Sequence, residues 1–212
     1  MNRPAIASAI ALAAVAATAG LALSQPKMVM PPPVSDPAQV PAGHYVVDPH
    51  HATLTVTVQH MGLAHSTFRI DKVDAGFDYD PAKLDASKVS ATIDANSFDQ
   101  GDASISTQFA KEFLDAPNHP QITFASTSLH RSDATHGVMN GNLTIGGVTK
   151  PVSLNVTFDG FRPAGGMGPA RAGFSATGIV RRSDFGITPQ MPAAAVADDV
   201  NVILEIEFTK QS

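Results

Sequence analysis

The sequence contains no cysteine and no tryptophan, and its charged residues are few, 16% of 212 residues against roughly 25% in an average soluble domain. Without cysteine there are no disulfides, thiolate nucleophiles, zinc ribbons or iron–sulfur clusters. Positive charge is also short, 14 Lys and Arg against 19 Asp and Glu for a net charge of -5. That balance argues against a nucleic-acid partner, whose footprint is a basic patch. Aromatic residues are 6% of the chain, 11 Phe and 2 Tyr. The length suits one domain with a single well-buried core.

The first stretch reads as a targeting segment. Arg3 supplies a small positive region, and Ala5 to Leu23 is an uncharged run rich in alanine, with small residues at cleavage spacings such as Ala17/Ala19 and Ala22/Ser24. Residues 1–24 are therefore expected to be a signal peptide, cleaved on export to the periplasm, with a retained membrane anchor as the alternative. Residues 25–42 follow as a spacer rich in proline (Pro26, Pro31, Pro32, Pro33, Pro37, Pro41), a composition that favours extended polyproline conformation. The folded domain is expected over residues 43–212.

Within that domain the dominant period is two, the pattern of half-buried strands. Leu54, Val56, Val58 and His60 share one face of a run whose other face is Thr53, Thr55, Thr57 and Gln59. Near the end, Val200, Val202, Leu204, Ile206 and Phe208 alternate with Asn201, Glu205 and Glu207. Similar runs surround Val89/Ile93, Ile122/Phe124, Leu143/Ile145, Leu154/Val156 and Phe174/Val180, and another begins at Phe68 and Ile70 and continues with less regularity to Phe77. About eight antiparallel strands are predicted, with Gly146-Gly147 as a two-residue hairpin loop. One interval breaks the period: Ile105, Phe109 and Phe113 recur every four residues between Asp102, a capping residue, and Pro117, which predicts one amphipathic helix. Such strands either stack as a sandwich or close into a barrel. In both cases the inward face carries almost no fixed charge, so an enclosed cavity would suit an apolar guest.

Five strings in order resemble the motifs of the YceI-like family: Tyr45 to His51, Val58 to Leu63, Phe113 to Asp115 followed by His119 to Phe124, Gly141 to Val152, and Arg182 to Ile187. Tyr45 stands where that family usually has Trp, Ala52 where it often has Ser, and His119 where Tyr is common. The resemblance spans roughly residues 43–210. It implies an all-β fold with one helix, an eight-stranded antiparallel lipocalin-like barrel exported to the periplasm, which binds a polyisoprenoid or another long amphipathic lipid. A bound quinone-type lipid, a long-chain isoprenoid or a fatty lipid fits the same expectation. A homodimer is left open, and no other cofactor or metal is implied.

An enzyme is not expected. The 8 histidines are His44, His50, His51, His60, His65, His119, His130 and His136, and none forms a helical pair suited to zinc. Gly173 to Thr177 fails the last glycine of a nucleophile elbow, and Asp184-Phe185-Gly186 stands without the other parts of a phosphotransfer site. The ligand-binding candidates are the inward residues Val56, Val58, Phe68, Phe109, Phe113, Phe124, Leu143, Leu154, Val156, Phe174, Leu204 and Ile206, with His60 and Arg182 as polar members. Arg182 is the head-group candidate, since a guanidinium binds phosphate in a bidentate way, and Arg181 should point outward. Asp48 and Asp184 are expected to bond backbone amides near turns. A carrier of lipid is the favoured function. The alternatives are an accessory protein of quinone or isoprenoid metabolism and a stress-related scaffold whose barrel is filled.

Overall fold

The computed structural model describes residues 30–83, 86–166, 168–187 and 194–212. The expected signal peptide and the first part of the proline-rich stretch lie outside them. Residues 33–212 form one compact unit, separate from the residues before it. Among the described residues no helix is long and apolar enough to cross a membrane.

That unit is a closed antiparallel barrel. Its elements in chain order are β1 (Gly43–His60), β2 (Ala64–Ile70), β3 (Val73–Tyr79), β4 (Lys88–Asp94), β5 (Phe98–Asp99), α1 (Ala103–Leu114), β6 (Gln121–Arg131), β7 (His136–Ile145), β8 (Val148–Arg162), β9 (Arg171–Arg181) and β10 (Val196–Lys210). The ring runs β1, β3, β4, β6, β7, β8, β9, β10 and closes through the β1–β10 pairing. The expected eight strands are thus the ring itself. β2 pairs with the second half of β1 while β3 pairs with the first, and the short β5 adds to β2 at Arg69 and Ile70 only. The single segment expected from Phe68 to Phe77 is therefore two strands, broken at Asp71-Lys72.

Local chemistry sets the turns and the helix. Gly146 and Gly147 join β7 to β8 with φ of 55° and 79°, a left-handed pair that glycine adopts without a Cβ clash. Asp102 caps α1, its carboxylate accepting from the amides of Ser104 and Ile105 at 2.9 and 3.0 Å. The helix ends on Asp115 in left-handed conformation. Its buried residues are Ser106, Ala110 and Leu114 rather than the Ile105/Phe109/Phe113 stripe. Two small side chains let α1 approach the sheet closely, which leaves Phe109 and Phe113 beside that contact and Ile105 exposed.

The folded unit begins before Gly43, which corrects the expected boundary. Val34 exchanges main-chain hydrogen bonds with Phe161 at 2.8 and 2.9 Å, Val40 is buried, and Pro37 begins a 3-10 turn capped by Asp36. The hydroxyls of Tyr79 and Tyr45 donate to the carbonyls of Pro37 (2.6 Å) and Pro41 (2.8 Å). Proline carbonyls remain available as acceptors although proline has no amide donor, so this part of the stretch packs as a strap over the barrel end.

The core is divided. One cluster gathers Leu54, Ile70, Ile93, Ala110, Leu114, Ile122, Val180 and Phe185 beneath α1. The other gathers Tyr45, Val47, Phe77, Phe158, Phe161 and Phe208 at the opposite end.

Candidate functional site

A cavity of about 660 Å³ fills the space between these clusters. Its origin is the size of the inward side chains. An eight-stranded barrel is just wide enough for side chains to fill it or to hold one small ligand. Along the middle of the wall the inward residues are Val56, Val58, Ala75, Val89, Ala91, Ala176, Val200 and Val202, too short to meet across the axis. Toward the strap the same strands carry Phe77 on β3, Phe174 on β9 and Phe208 on β10. There Phe77 stacks on Tyr45 with centroids 4.9 Å apart and meets Phe208 edge-on at 4.9 Å. One alternating pattern therefore builds a plugged end and a hollow middle.

Every ligand-binding candidate named from the sequence lines this cavity. Val56, Val58 and His60 come from β1, Phe68 from β2, Phe109 and Phe113 from α1, Phe124 from β6, Leu143 from β7, Leu154 and Val156 from β8, Phe174 from β9, Leu204 and Ile206 from β10, and Arg182 from the turn after β9. The helix thus covers the barrel and also contributes to the cavity wall. Sequence reasoning missed the β3–β4 wall, Val73, Ala75, Phe77, Tyr79, Val89, Ala91 and Ile93, together with Phe98, Gln100, Leu129 and Met139. Period two on β3 and β4 carried a signal for the first group. Leu129 has none, because the register shift between Ser126 and Ser128 reverses the parity of β6.

Among the described residues, His60 and Thr67 on the β1–β2 hairpin are the exposed members of the lining, so solvent reaches the cavity wall on this side. Ser66, Gln100 and Arg182 also contribute polar groups to the lining, whereas the middle is aliphatic and aromatic. On the β3–β4 side the lining includes Tyr79 and Ser87, whose Oγ is buried without a hydrogen-bond partner.

Arg182 has a structural task as well as a place on the wall. It is 7% exposed, and its guanidinium donates from Nε to the Ala197 carbonyl (3.0 Å), from Nη1 to Ile187 (2.7 Å) and from Nη2 to Val196 (2.7 Å). It ties the turn after β9 to the start of β10, and those N–H groups are engaged before any ligand arrives. Arg181 points outward to Asp199 at 3.5 Å. The role expected of Asp184 belongs instead to Asp198, which accepts from the Ser183 amide (2.9 Å) and hydroxyl (2.7 Å). These two bonds hold the Asp198 carboxyl below its ordinary pKa. Asp184 is exposed in the first turn of a short 3-10 helix.

Asp48 does bond a backbone amide, that of His50 at 3.0 Å, though within β1 rather than at a turn. It sits where the β1–β10 register shifts between Val47 and Ala52, an irregularity that accommodates Pro49. Burial pushes its carboxyl up, but the His50 amide, His51 and the Arg171 guanidinium outweigh burial and hold it below the usual value. Asp48, His51 and Glu207 bring three metal-capable groups together. Nη1 of Arg171 lies 3.0 Å from Asp48, 3.1 Å from Glu207 and 3.3 Å from His51, so the protein itself supplies the cation at their centre.

At the plugged end Tyr45 is 0% exposed. Burial, reinforced by the neighbouring Tyr79, pushes its hydroxyl up to about 12.

Comparison with known proteins accords with this architecture. The chain is 33% identical over 174 residues to a UPF0312 protein of Shewanella baltica, covering 80% of this chain and 90% of that one. The crystal structure of Burkholderia cenocepacia BcnA superposes with a TM-score of 0.67 at 27% identity, over 76% of this chain and 98% of that one. A polyisoprenoid-binding domain from Saccharophagus degradans, implicated in plant cell wall breakdown, shares the fold with a TM-score of 0.61 at 11% identity, over 81% and 100% of the two chains. The YceI-like domain profile matches residues 45–208, from the buried tyrosine at the start of the barrel to the last aromatic of its plug, and the chain belongs to the YceI-like family.

Proposed function

We propose that this chain is an exported binding protein that holds one long-chain amphiphile of the polyisoprenoid class in the barrel, as a carrier without turnover. The observation that carries the reading is the apolar cavity of 660 Å³ with its polar groups gathered toward its ends. That volume falls within the roughly 300–1,000 Å³ of small-molecule pockets. At about 30 Å³ per heavy atom, the share of a water molecule in the liquid, it accommodates on the order of twenty carbons. A longer chain would leave its remainder outside the mouth. The Saccharophagus degradans domain of the same fold, described as polyisoprenoid-binding, supports the choice of lipid class. Export rests on the leader sequence alone, and N-terminal sequencing of protein from the periplasmic fraction checks it. An N-terminus at Met1 on a membrane-bound product overturns cleavage.

A series of prenyl alcohols tests the binding. Affinity should rise with chain length up to about twenty carbons and then level off. At roughly 0.3 kcal/mol per heavy atom, that length gives about 6 kcal/mol, a dissociation constant of tens of micromolar. Binding no tighter than millimolar, or no dependence on chain length, overturns the carrier reading and favours a scaffold. Because Arg182 spends N–H groups on main-chain carbonyls, a prenyl alcohol and its pyrophosphate should bind within about tenfold of each other, a difference of 1.4 kcal/mol. A quinone-type guest is the second reading. It is favoured by the unpaired Ser87 Oγ in the wall, which offers a hydrogen bond to a ring carbonyl carried deep into the barrel. Native mass spectrometry of protein from its own cell envelope separates the two guests by mass.

A further inference from the structure

The largest exposed apolar side chains of the described surface include two that flank one glycine. Met61 is 59% and Leu63 82% exposed, on either side of Gly62 in the turn between β1 and β2. The turn is firmly held. Met61 adopts a left-handed φ of 52°, its amide donates to the Ala195 carbonyl at 2.8 Å, and the Leu63 amide donates to the His60 carbonyl at 2.9 Å. A fixed turn that presents two large apolar side chains to water has a hydrophobic cost that this barrel does not need for folding. His60, at the base of the turn, is also one of the two exposed residues of the cavity lining among the described residues. The apolar tip and the mouth are therefore contiguous.

Charge points the same way. The chain is acidic, net -5, yet Pro49 to Ile70 contains no carboxylate. The one formal charge in that stretch, Arg69, is paired with Asp71 at 3.1 Å. The carboxylates of the same barrel end, Asp184, Asp198 and Asp199, belong to the β9–β10 side, where Asp198 accepts from the Ser183 amide and hydroxyl and Asp199 pairs with Arg181. Among the described residues this tip carries no carboxylate, no Lys and no unpaired Arg, and its flanking polar side chains are the imidazoles of His60 and His65, so its apolar side chains can enter the interfacial region of a bilayer at little desolvation cost.

We propose that the β1–β2 tip, Met61 and Leu63, is a bilayer-docking lip, seated on a lipid surface so that the mouth at His60 faces the membrane from which the guest enters. The inference rests on the lipid-binding reading and adds the partner surface to it. Docking is hydrophobic rather than electrostatic, because the β1–β2 hairpin carries no Lys and its one Arg, Arg69, is paired with Asp71. It should therefore depend little on the anionic content of the membrane or on salt.

The absence of tryptophan supplies the test. The Leu63→Trp variant carries the only indole of the chain, and its fluorescence is read with vesicles of phosphatidylcholine, and again with phosphatidylglycerol added. The expected result is a blue shift on both vesicles that persists in high salt, with quenching by brominated acyl chains. In otherwise wild-type protein, Leu63→Asp combined with Met61→Ser should lower vesicle partitioning and the rate of prenyl-probe transfer from vesicles by about tenfold or more. The same variant should bind the probe from detergent micelles as the wild type does. Ile203→Asn, on the outer wall of β10, serves as the control for an exposed apolar residue away from the lip and should change neither. An indole that stays in water on both vesicles overturns the lip while probe binding from micelles stands. Loss of micelle binding in the wild type overturns the carrier reading instead. A blue shift that needs no vesicles and grows with protein concentration overturns docking in favour of contact between two copies of this chain.

Discussion

The two ends of the barrel are built from the same strands and differ in one variable, the size of the inward residue. β3 runs Val73, Ala75, Phe77, Tyr79, and β10 runs Val200, Val202, Leu204, Ile206, Phe208. In both, the aromatic comes last in the direction of the strap. Where the rings meet, interior density is reached and the barrel is plugged, with Val34 and Val40 adding to the same cluster. Where valine and alanine face the axis, the same ring of hydrogen bonds surrounds empty volume. Stability and function are thereby separated along one axis: the plug carries packing energy, and the middle carries capacity.

The largest expected effect breaks the plug. Phe77 contacts Tyr45, Tyr79, Phe174 and Phe208, so Phe77→Ala should cost about 3–5 kcal/mol, as buried aromatic truncations do. Val156→Ala, facing the void, should cost about 1 kcal/mol or less, since its methyl groups already lack partners on one side. Chemical denaturation of both variants measures the contrast, and equal losses would mean that the middle is as closely packed as the end.

The next effect is a pH dependence confined to the plug. The Tyr45 hydroxyl is pushed up from 10.0 to about 12 in the folded chain. A raised acid favours the protonated, folded form, so the contribution is complete below pH 10 and is lost as pH rises toward 12. Two units correspond to on the order of 2–3 kcal/mol. Denaturation midpoints should fall across that window in the wild type and fall less in Tyr45→Phe. That variant forfeits the Pro41 bond at all pH values, about 1 kcal/mol. A wild-type slope retained in Tyr45→Phe would assign the pH dependence to other groups.

Much of this contrast was legible in the sequence. Alternation named the inward residues of β1 and β10 one by one, and the four-residue spacing placed Phe109 and Phe113 on the cavity side of α1. Three things were not legible. The bulge that turns Leu129 inward depends on a register shift, which no parity argument anticipates. The strap depends on prolines whose carbonyls serve distant tyrosines, and composition alone reads such a stretch as a spacer. Arg182 was visible as a cation beside an apolar face, but the carbonyls of Ile187, Val196 and Ala197 that it bonds come from its own turn and from the start of β10, and only tertiary structure brings them together. Asp184 likewise followed a turn rule that Asp198, from the other side of the same connection, satisfies in space.

The smallest expected change in stability accompanies a complete change in function, and it isolates the hollow middle from the plug. Ala176 pairs across the sheet with Val156 on β8 and Leu204 on β10 and lines the cavity. Ala176→Phe places a ring in the void, where it displaces no wall side chain. The cost usual for overpacking a dense core, about 1–3 kcal/mol, should therefore be largely absent, and new contacts between ring and wall offset what strain remains. Denaturation should show a shift within about 1 kcal/mol of the wild type. Prenyl-probe uptake from micelles should be lost, because the guest and the ring compete for the same volume. A variant that stays stable and still binds with wild-type affinity would place the guest elsewhere on the barrel. A variant that unfolds would show that valine and alanine close the axis more tightly than a cavity of 660 Å³ allows.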